Sequence, residues 1–207
     1  MRLAADCVLS GFVCRSAGQY NRKRQKEVNS MKQSLRKVAF LLADGYEDSE
    51  MMNPYDAIVE NGNDAVIISL EKNKELKGKK GTIAYRSHLA AKEANPDDYE
   101  AVVIPGGQSP AALREDEAVL GFVKRAHDKG VPIAAICHGP QVLASAGLLK
   151  GKTLTGYPGI RGEIEAAGGT FVDREVVVDG NLITSRGPQD EPAFIKEIID
   201  KIGVSAY

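Results

Sequence analysis

Tryptophan is absent from this 207-residue chain, and cysteine and histidine occur only three times each. The cysteines (Cys7, Cys14 and Cys137) are too few for a disulfide framework and lack zinc-type spacing. That usage suits a reducing compartment, so a cytoplasmic protein is expected. His88, His127 and His138 are scattered along the chain, and no metal site is expected from them. No apolar run approaches the roughly 18 residues needed to span a bilayer, so no membrane partner is expected. Charge of one sign is also missing: 27 Lys and Arg face 28 Asp and Glu. A near-neutral balance gives no electrostatic reason to expect nucleic acid as a structural partner.

The balance is uneven along the chain. Residues 1–30 hold six Lys/Arg against Asp6 and Glu27, a net of +4, which leaves 31–207 at −5 within the total of −1. The apolar stretch from Leu3 to Val13 is interrupted by Asp6 and precedes no small-residue cleavage site, so a secretory signal is not expected. Residues 1–30 are expected to be a disordered leader or an extended N-terminus, with the natural start at Met31, because strand-like patterning begins only at Lys37. Residues 31–207 are expected to form a single α/β domain.

Short continuous apolar runs predict buried parallel strands at Val38–Ala43, Ala65–Leu70, Ala101–Ile104 and Pro132–Ile136. Helical spacing predicts helices over Ser49–Glu60, Glu115–Asp128, Gly139–Ala146, Gly159–Ala167 and Glu191–Ile202. Lys72–Lys80 reads as a charged loop, Thr82–Tyr85 as a short edge strand, and Thr153–Thr155 as a continuation of the sheet. Asp179-Gly180-Asn181 between two apolar runs predicts a hairpin. Strands alternating with helices imply a mostly parallel sheet covered on both faces.

Ligands bind such sheets at the carboxyl ends of the strands. Ile133–Ile136 runs directly into a helix at Cys137-His138-Gly139-Pro140, with no loop between. This is the logic of a nucleophile elbow, with cysteine in place of serine. A buried core cysteine would explain a lone Cys at a strand end; the adjacent His138 and the small Ala135 and Gly139 favour the nucleophile. A helix N-terminus favours the reactive thiolate. At a second strand end, Pro105-Gly106-Gly107 either makes a tight turn or offers Gly106 and Gly107 amides to a substrate oxyanion. The acidic turn Asp44–Glu50 places carboxylates at the same edge, where they either cap the following helix or hold a proton beside the sulfur. Residues 146–153 fit a relaxed P-loop pattern but follow a helix and open a strand, the reverse of what phosphate binding needs. No His-x-Glu lies downstream of His138, so an amidotransferase triad cannot be built.

The motifs Ala43-x-Gly45-x-Glu47-Asp48-x-Glu50, Pro105-Gly106-Gly107, Ala135–Pro140, Tyr157-Pro158-Gly159-Ile160 and Val177–Arg186 resemble those of the ThiJ/PfpI superfamily, and within it the PfpI-like stress proteins. The resemblance covers nearly all of residues 37–203. It implies a flavodoxin-like three-layer sandwich, Cys137 as nucleophile with His138 beside it, Glu50 as the protonated partner of the thiol, Glu47 close by, and Tyr157 lining the pocket. It also implies a homodimer or hexamer and no cofactor. Its members act as glyoxalases on methylglyoxal, as deglycases of glycated amines, or as intracellular cysteine peptidases. In peptidase-like members a Glu follows Pro-Gly-Gly-x-x-Pro; here that position is Ala111. The expectation is therefore a cysteine-dependent enzyme acting on small carbonyl or glycated substrates, with a peptidase, or a redox-sensing stress protein or chaperone, as the alternatives.

Overall fold

The computed structural model describes residues 36–203. The expected leader 1–30 and the start at Met31 lie outside the described residues.

In chain order the elements are β1 (Lys37–Leu41), α1 (Asp48–Glu60), β2 (Asp64–Ser69), β3 (Glu75–Lys77), β4 (Ala84–Arg86), β5 (Leu89–Ala90) and β6 (Ala101–Ile104). There follow α2 (Ser109–Leu113), α3 (Glu117–Asp128), β7 (Ile133–Ile136), α4 (Pro140–Ser145), β8 (Thr153–Leu154) and α5 (Arg161–Ala166). The last are β9 (Thr170–Phe171), β10 (Val176–Asp179), β11 (Leu182–Ser185) and α6 (Glu191–Ile202). The main sheet has seven strands in the order β10-β11-β7-β6-β1-β2-β5. Every pairing in it is parallel except β10 with β11.

The apolar runs behave as buried parallel strands should, because alternate side chains feed two separate cores. Val38, Phe40 and Leu42 point to the face covered by Met51 and Ile58 of α1 and by Phe194, Ile198 and Ile202 of α6. Ala39, Leu41 and Ala43 point to the other, covered by Phe122, Val123 and Ala126 of α3, Val142 and Leu143 of α4, and Ile164 of α5. Each large apolar side chain fully removed from water contributes about 1.5–3 kcal/mol, so a shift of register by one residue would be costly on both faces. The result is the expected flavodoxin-like, three-layer α/β sandwich. Among the described residues, no helix is long and apolar enough to cross a membrane.

Several local expectations change. The charged segment 72–80 is not all loop: Glu75–Lys77 pairs antiparallel with Ala84–Arg86 in a small hairpin outside the main sheet. The edge strand of the main sheet is instead Leu89–Ala90, too short to show a pattern. Thr153–Leu154 does not continue the main sheet; it pairs in parallel with Thr170–Phe171 as a separate ladder. The third helix starts at Glu117, where the Asp116 carboxylate accepts from the Val119 N–H at 2.9 Å and caps it. The hairpin at 179–182 forms as expected, with Gly180 at φ +64° in the first loop position.

Candidate active site

Three strand ends, β1, β6 and β7, converge on one cleft. β7 ends at Ile136 and α4 begins at Pro140, so the chain reverses in three residues. Cys137 takes φ +59°, a left-handed conformation that a residue with a Cβ adopts only under constraint. Its N–H donates to the Ser185 carbonyl at 3.0 Å, and its own carbonyl accepts from the Tyr157 N–H at 2.8 Å. The corner is therefore fixed on both sides by neighbouring backbone. Gly139 is required for packing: a Cβ there would lie 2.6 Å from the Ile104 carbonyl oxygen.

Past His138, the first N–H groups of the turn into α4 do not serve the sulfur. Gly139 donates to the Ile136 carbonyl at 2.8 Å and Gln141 to the His138 carbonyl at 3.0 Å, while Pro140 has no N–H. The amides that reach the sulfur belong to His138 and Gly107. The expected contribution of the helix terminus thus comes from the corner itself and from the β6 loop.

Glu50 lies on the first turn of α1 and is fully buried. Its Oε2 accepts from the Gly106 N–H at 2.8 Å, and its Oε1 has no hydrogen-bond partner among the described residues. The Gly106 amide is consequently committed to Glu50, which removes it from the expected oxyanion-binding pair. Gly106 separates two groups: a Cβ there would fall 2.5 Å from Glu50 Oε2 and 2.6 Å from Cys137 Cβ. Pro54, inside α1, removes the N–H that would otherwise reach the Glu50 carbonyl.

Burial pushes the Glu50 carboxyl up to about 7, opposed by the Gly106 N–H and assisted by the charge of Glu47. Burial, followed by the Glu50 charge, pushes the Cys137 thiol up to about 12, against the pull of the Gly107 and His138 amides. The Glu50 charge thus disfavours ionisation of the thiol, whereas Cys137 favours ionisation of the carboxyl. Above about pH 7 the pair shares one proton and one negative charge, and when the proton rests on Glu50 the charge rests on sulfur.

His138 Nδ1 stands 3.3 Å from the Cys137 Sγ, and its ring stacks on Tyr157 with centroids 4.7 Å apart at 27°. Burial holds this imidazole below its ordinary value; Lys79 lowers it further and Glu163 opposes both. A ring so placed is neutral near pH 7 and can take up a proton.

In front of the sulfur lies a cavity of about 450 Å³, walled by Glu47, Lys79, Gln108, Ala111, Gln141 and Tyr157. Lys79 comes from the connection between β3 and β4 and reaches Glu47 Oε2 at 3.4 Å. Of the residues named from sequence, Cys137, His138, Gly107, Glu47 and Tyr157 line this cavity, and Glu50 and Gly106 lie behind the sulfur. Sequence reasoning missed Lys79, Gln108 and Gln141. Gln141 had a usable signal, standing one helical turn after His138; Lys79 had none, because it arrives through the unanticipated hairpin.

The sequence model of the DJ-1/PfpI family matches residues 36–201. The chain belongs to the DJ-1/PfpI family. It is 42% identical over 163 residues to deglycase PfpI of Pyrococcus furiosus, covering 79% of this chain and 97% of that relative. It is 39% identical over 169 residues to protein/nucleic acid deglycase 2 of Escherichia coli, covering 81% and 98%. Among solved structures, a two-domain protein of Anabaena variabilis with DJ-1/ThiJ/PfpI-like and ferritin-like domains superposes with a TM-score of 0.80 at 38% identity, covering 81% of this chain and 48% of the other. The DJ-1/PfpI match spans nearly all of the described residues.

Proposed function

We propose that this DJ-1/PfpI chain is a cofactor-independent cysteine enzyme that acts on reactive carbonyls, removing early glycation adducts from amines and converting methylglyoxal to lactate. The observation that carries the reading is the Cys137–Glu50 pair beside the cleft: a buried carboxyl, pushed up to about 7 and set behind the sulfur, that can take the thiol proton and pass it to a substrate oxygen without an imidazolium.

The chemistry follows from that pair. The Cys137 sulfur attacks the aldehyde carbon of methylglyoxal; the C–S bond forms, and the carbonyl oxygen takes the proton held by Glu50, giving a hemithioacetal. Glu50 or His138 then removes the proton from the sulfur-bearing carbon while the neighbouring carbonyl oxygen gains one, giving an enediol; return of a proton to the neighbouring carbon and loss of the hydroxyl proton at the sulfur-bearing carbon give a thioester of the 2-hydroxy acid. Water cleaves the thioester, releasing lactate and restoring the thiol. With an amine adduct the sulfur displaces the amine at the same carbon: C–N breaks as C–S forms, the amine leaves with a proton, and the same hemithioacetal results. No oxidant or reductant enters either sequence.

A peptidase would gain from an acid that orients His138 from the side away from sulfur. Ala111 stands where peptidase-like relatives carry that acid, and among the described residues the His138 ring has no hydrogen-bond partner besides the Cys137 Sγ. Carbonyl chemistry needs no such acid, because Glu50 supplies the proton. The test is wild type against Cys137→Ala on methylglyoxal, on a methylglyoxal-treated amino acid and on casein. Loss of the first two activities in the variant supports the reading; cysteine-dependent cleavage of casein alone would replace it with the peptidase.

A further inference from the structure

A glutamine amide has a donor end and an acceptor end of nearly the same shape, and only its partners decide which way it faces. In Gln141 that choice is made by Glu163. The Gln141 Nε2 donates to Glu163 Oε2 at 2.8 Å, and the other Glu163 oxygen accepts from Arg114. Arg114 is fixed in turn by donating from Nε to Ser145 Oγ at 2.9 Å. Burial raises the Glu163 carboxyl, but the hydrogen bonds from Arg114 and Gln141 outweigh it and hold the group below its ordinary value. Glu163 is therefore an acceptor at neutral pH, and a flipped amide would set oxygen against carboxylate oxygen.

With Nε2 committed, the Gln141 Oε1 is left as an acceptor without a partner among the described residues, on a side chain that lines the cleft. The carboxylate that lines the cleft wall, Glu47, is already paired with Lys79. A cavity of about 450 Å³ also exceeds what a three-carbon dicarbonyl fills; it lies within the roughly 300–1,000 Å³ of sites for larger small molecules. Methylglyoxal has no N–H to offer an acceptor, whereas an amine adduct has one on the very nitrogen that must leave.

We propose that Gln141, oriented by the Arg114–Glu163 pair, accepts a hydrogen bond from the substrate N–H and selects carbonyl adducts of amines over free dicarbonyls. Gln141 is the specificity-determining residue and Glu163 the positioning residue. The assignment rests on the carbonyl-directed reading of the site above.

The test separates the two. Affinities are measured by NMR titration for N-(2-hydroxypropyl)acetamide, an unreactive adduct mimic, and for the ketone in which CH₂ replaces its N–H. The proteins are wild type, Gln141→Leu, Gln141→Met and Glu163→Gln, each checked for an unchanged fold by circular dichroism and thermal melting. One neutral hydrogen bond corresponds to a preference of about fivefold for the amide in wild type. That preference disappears in both Gln141 variants and shrinks in Glu163→Gln, which tolerates either amide orientation. Equal affinity for the two compounds in wild type, or a preference that survives in both Gln141 variants, overturns the proposal. If the preference behaves as expected while wild type leaves methylglyoxal and its amine adducts untouched, the subsite stands and the proposed reaction falls.

Discussion

The Gly106 N–H donates to Glu50 Oε2 across 2.8 Å, joining the end of β6 to the first turn of α1. That bond sets where the carboxyl stands relative to the sulfur, and the absent Cβ of Gly106 keeps the space between them.

Gly106→Ala tests this relationship directly. The new methyl group would lie 2.5 Å from Glu50 Oε2 and 2.6 Å from Cys137 Cβ, both on constrained groups, so something must shift. A displacement of about 1 Å at a reacting centre costs on the order of 10²-fold in rate, and overpacking costs about 1–3 kcal/mol. The expected variant is folded, less stable by that amount in urea, and nearly inactive on methylglyoxal. Wild-type kcat/KM in a folded Gly106→Ala protein would contradict the assigned geometry.

Glu50→Gln separates stability from activity. In the folded protein Glu50 keeps its proton from its usual 4.5 up to about 7. Across that window the folded state binds more protons than the unfolded state, so this group contributes stability below pH 4.5 that is lost as pH rises through 7. The loss is about 3 kcal/mol by pH 8. Gln cannot ionise, so the variant loses no stability over this range and is the more stable protein at pH 8. Its activity falls by about 10²–10⁴-fold with the loss of the proton donor. Wild-type kcat/KM rises with pH through about 7, and the alkylation profile of the Cys137 thiol shifts to lower pH in the variant because the Glu50 charge is gone. Parallel pH–stability curves for the two proteins would refute the raised carboxyl.

Tyr157→Ala uncovers the His138 ring, stacked beneath it at 4.7 Å. Burial is the leading reason the imidazole is depressed, so its titration, followed by NMR of the ring protons, moves up toward the ordinary value. Lys79→Gln moves it in the same direction by removing the second cause. KM for methylglyoxal rises severalfold in Tyr157→Ala. A downward shift in either variant would contradict the account.

Cys137→Gly and Cys137→Ala are both inactive, but they differ in stability. A residue with a Cβ held at φ +59° costs about 1–2 kcal/mol, and glycine does not carry that cost. Cys137→Gly is expected to unfold at higher urea than Cys137→Ala, against the usual ranking of glycine below alanine. The reverse order would mean that the corner is not strained.

The sandwich was legible because both cores leave the same mark: four continuous apolar runs with no polar alternation, of which Val38–Ala43 is the clearest. The corner at Cys137 was legible because a strand meets a helix with no residues to spare. What was not legible depends on long-range pairing. Glu75–Lys77 is charged and looks like loop, yet it forms a strand because Ala84–Arg86 lies beside it. Thr153–Leu154 has strand character, but local sequence cannot say which ladder it joins. Gly106 could be flagged as special without revealing that its amide serves Glu50 rather than a substrate oxygen. Glu163 carried no signal, because its partners Arg114, just past the end of α2, and Gln141, on α4, are distant in sequence.

The small β3–β4 hairpin is docked by Asp48, whose Oδ2 accepts from the Lys80 N–H at 3.1 Å and whose Oδ1 fills the place a Gly78 side chain would need. Reactivity is thus written into the rigid strand ends, while one wall of the entrance belongs to an appendage tied to them by Asp48, by Asp44, which accepts from the Lys77 N–H at 3.0 Å, and by the backbone and hydroxyl of Tyr46. Provided Asp44, Tyr46, Asp48 and Gly78 are kept, the turn at 80–82 is open to replacement by libraries of other lengths and charges. Substrate range in this protein can then be evolved as a module, without re-solving the problem of how to hold a strained cysteine.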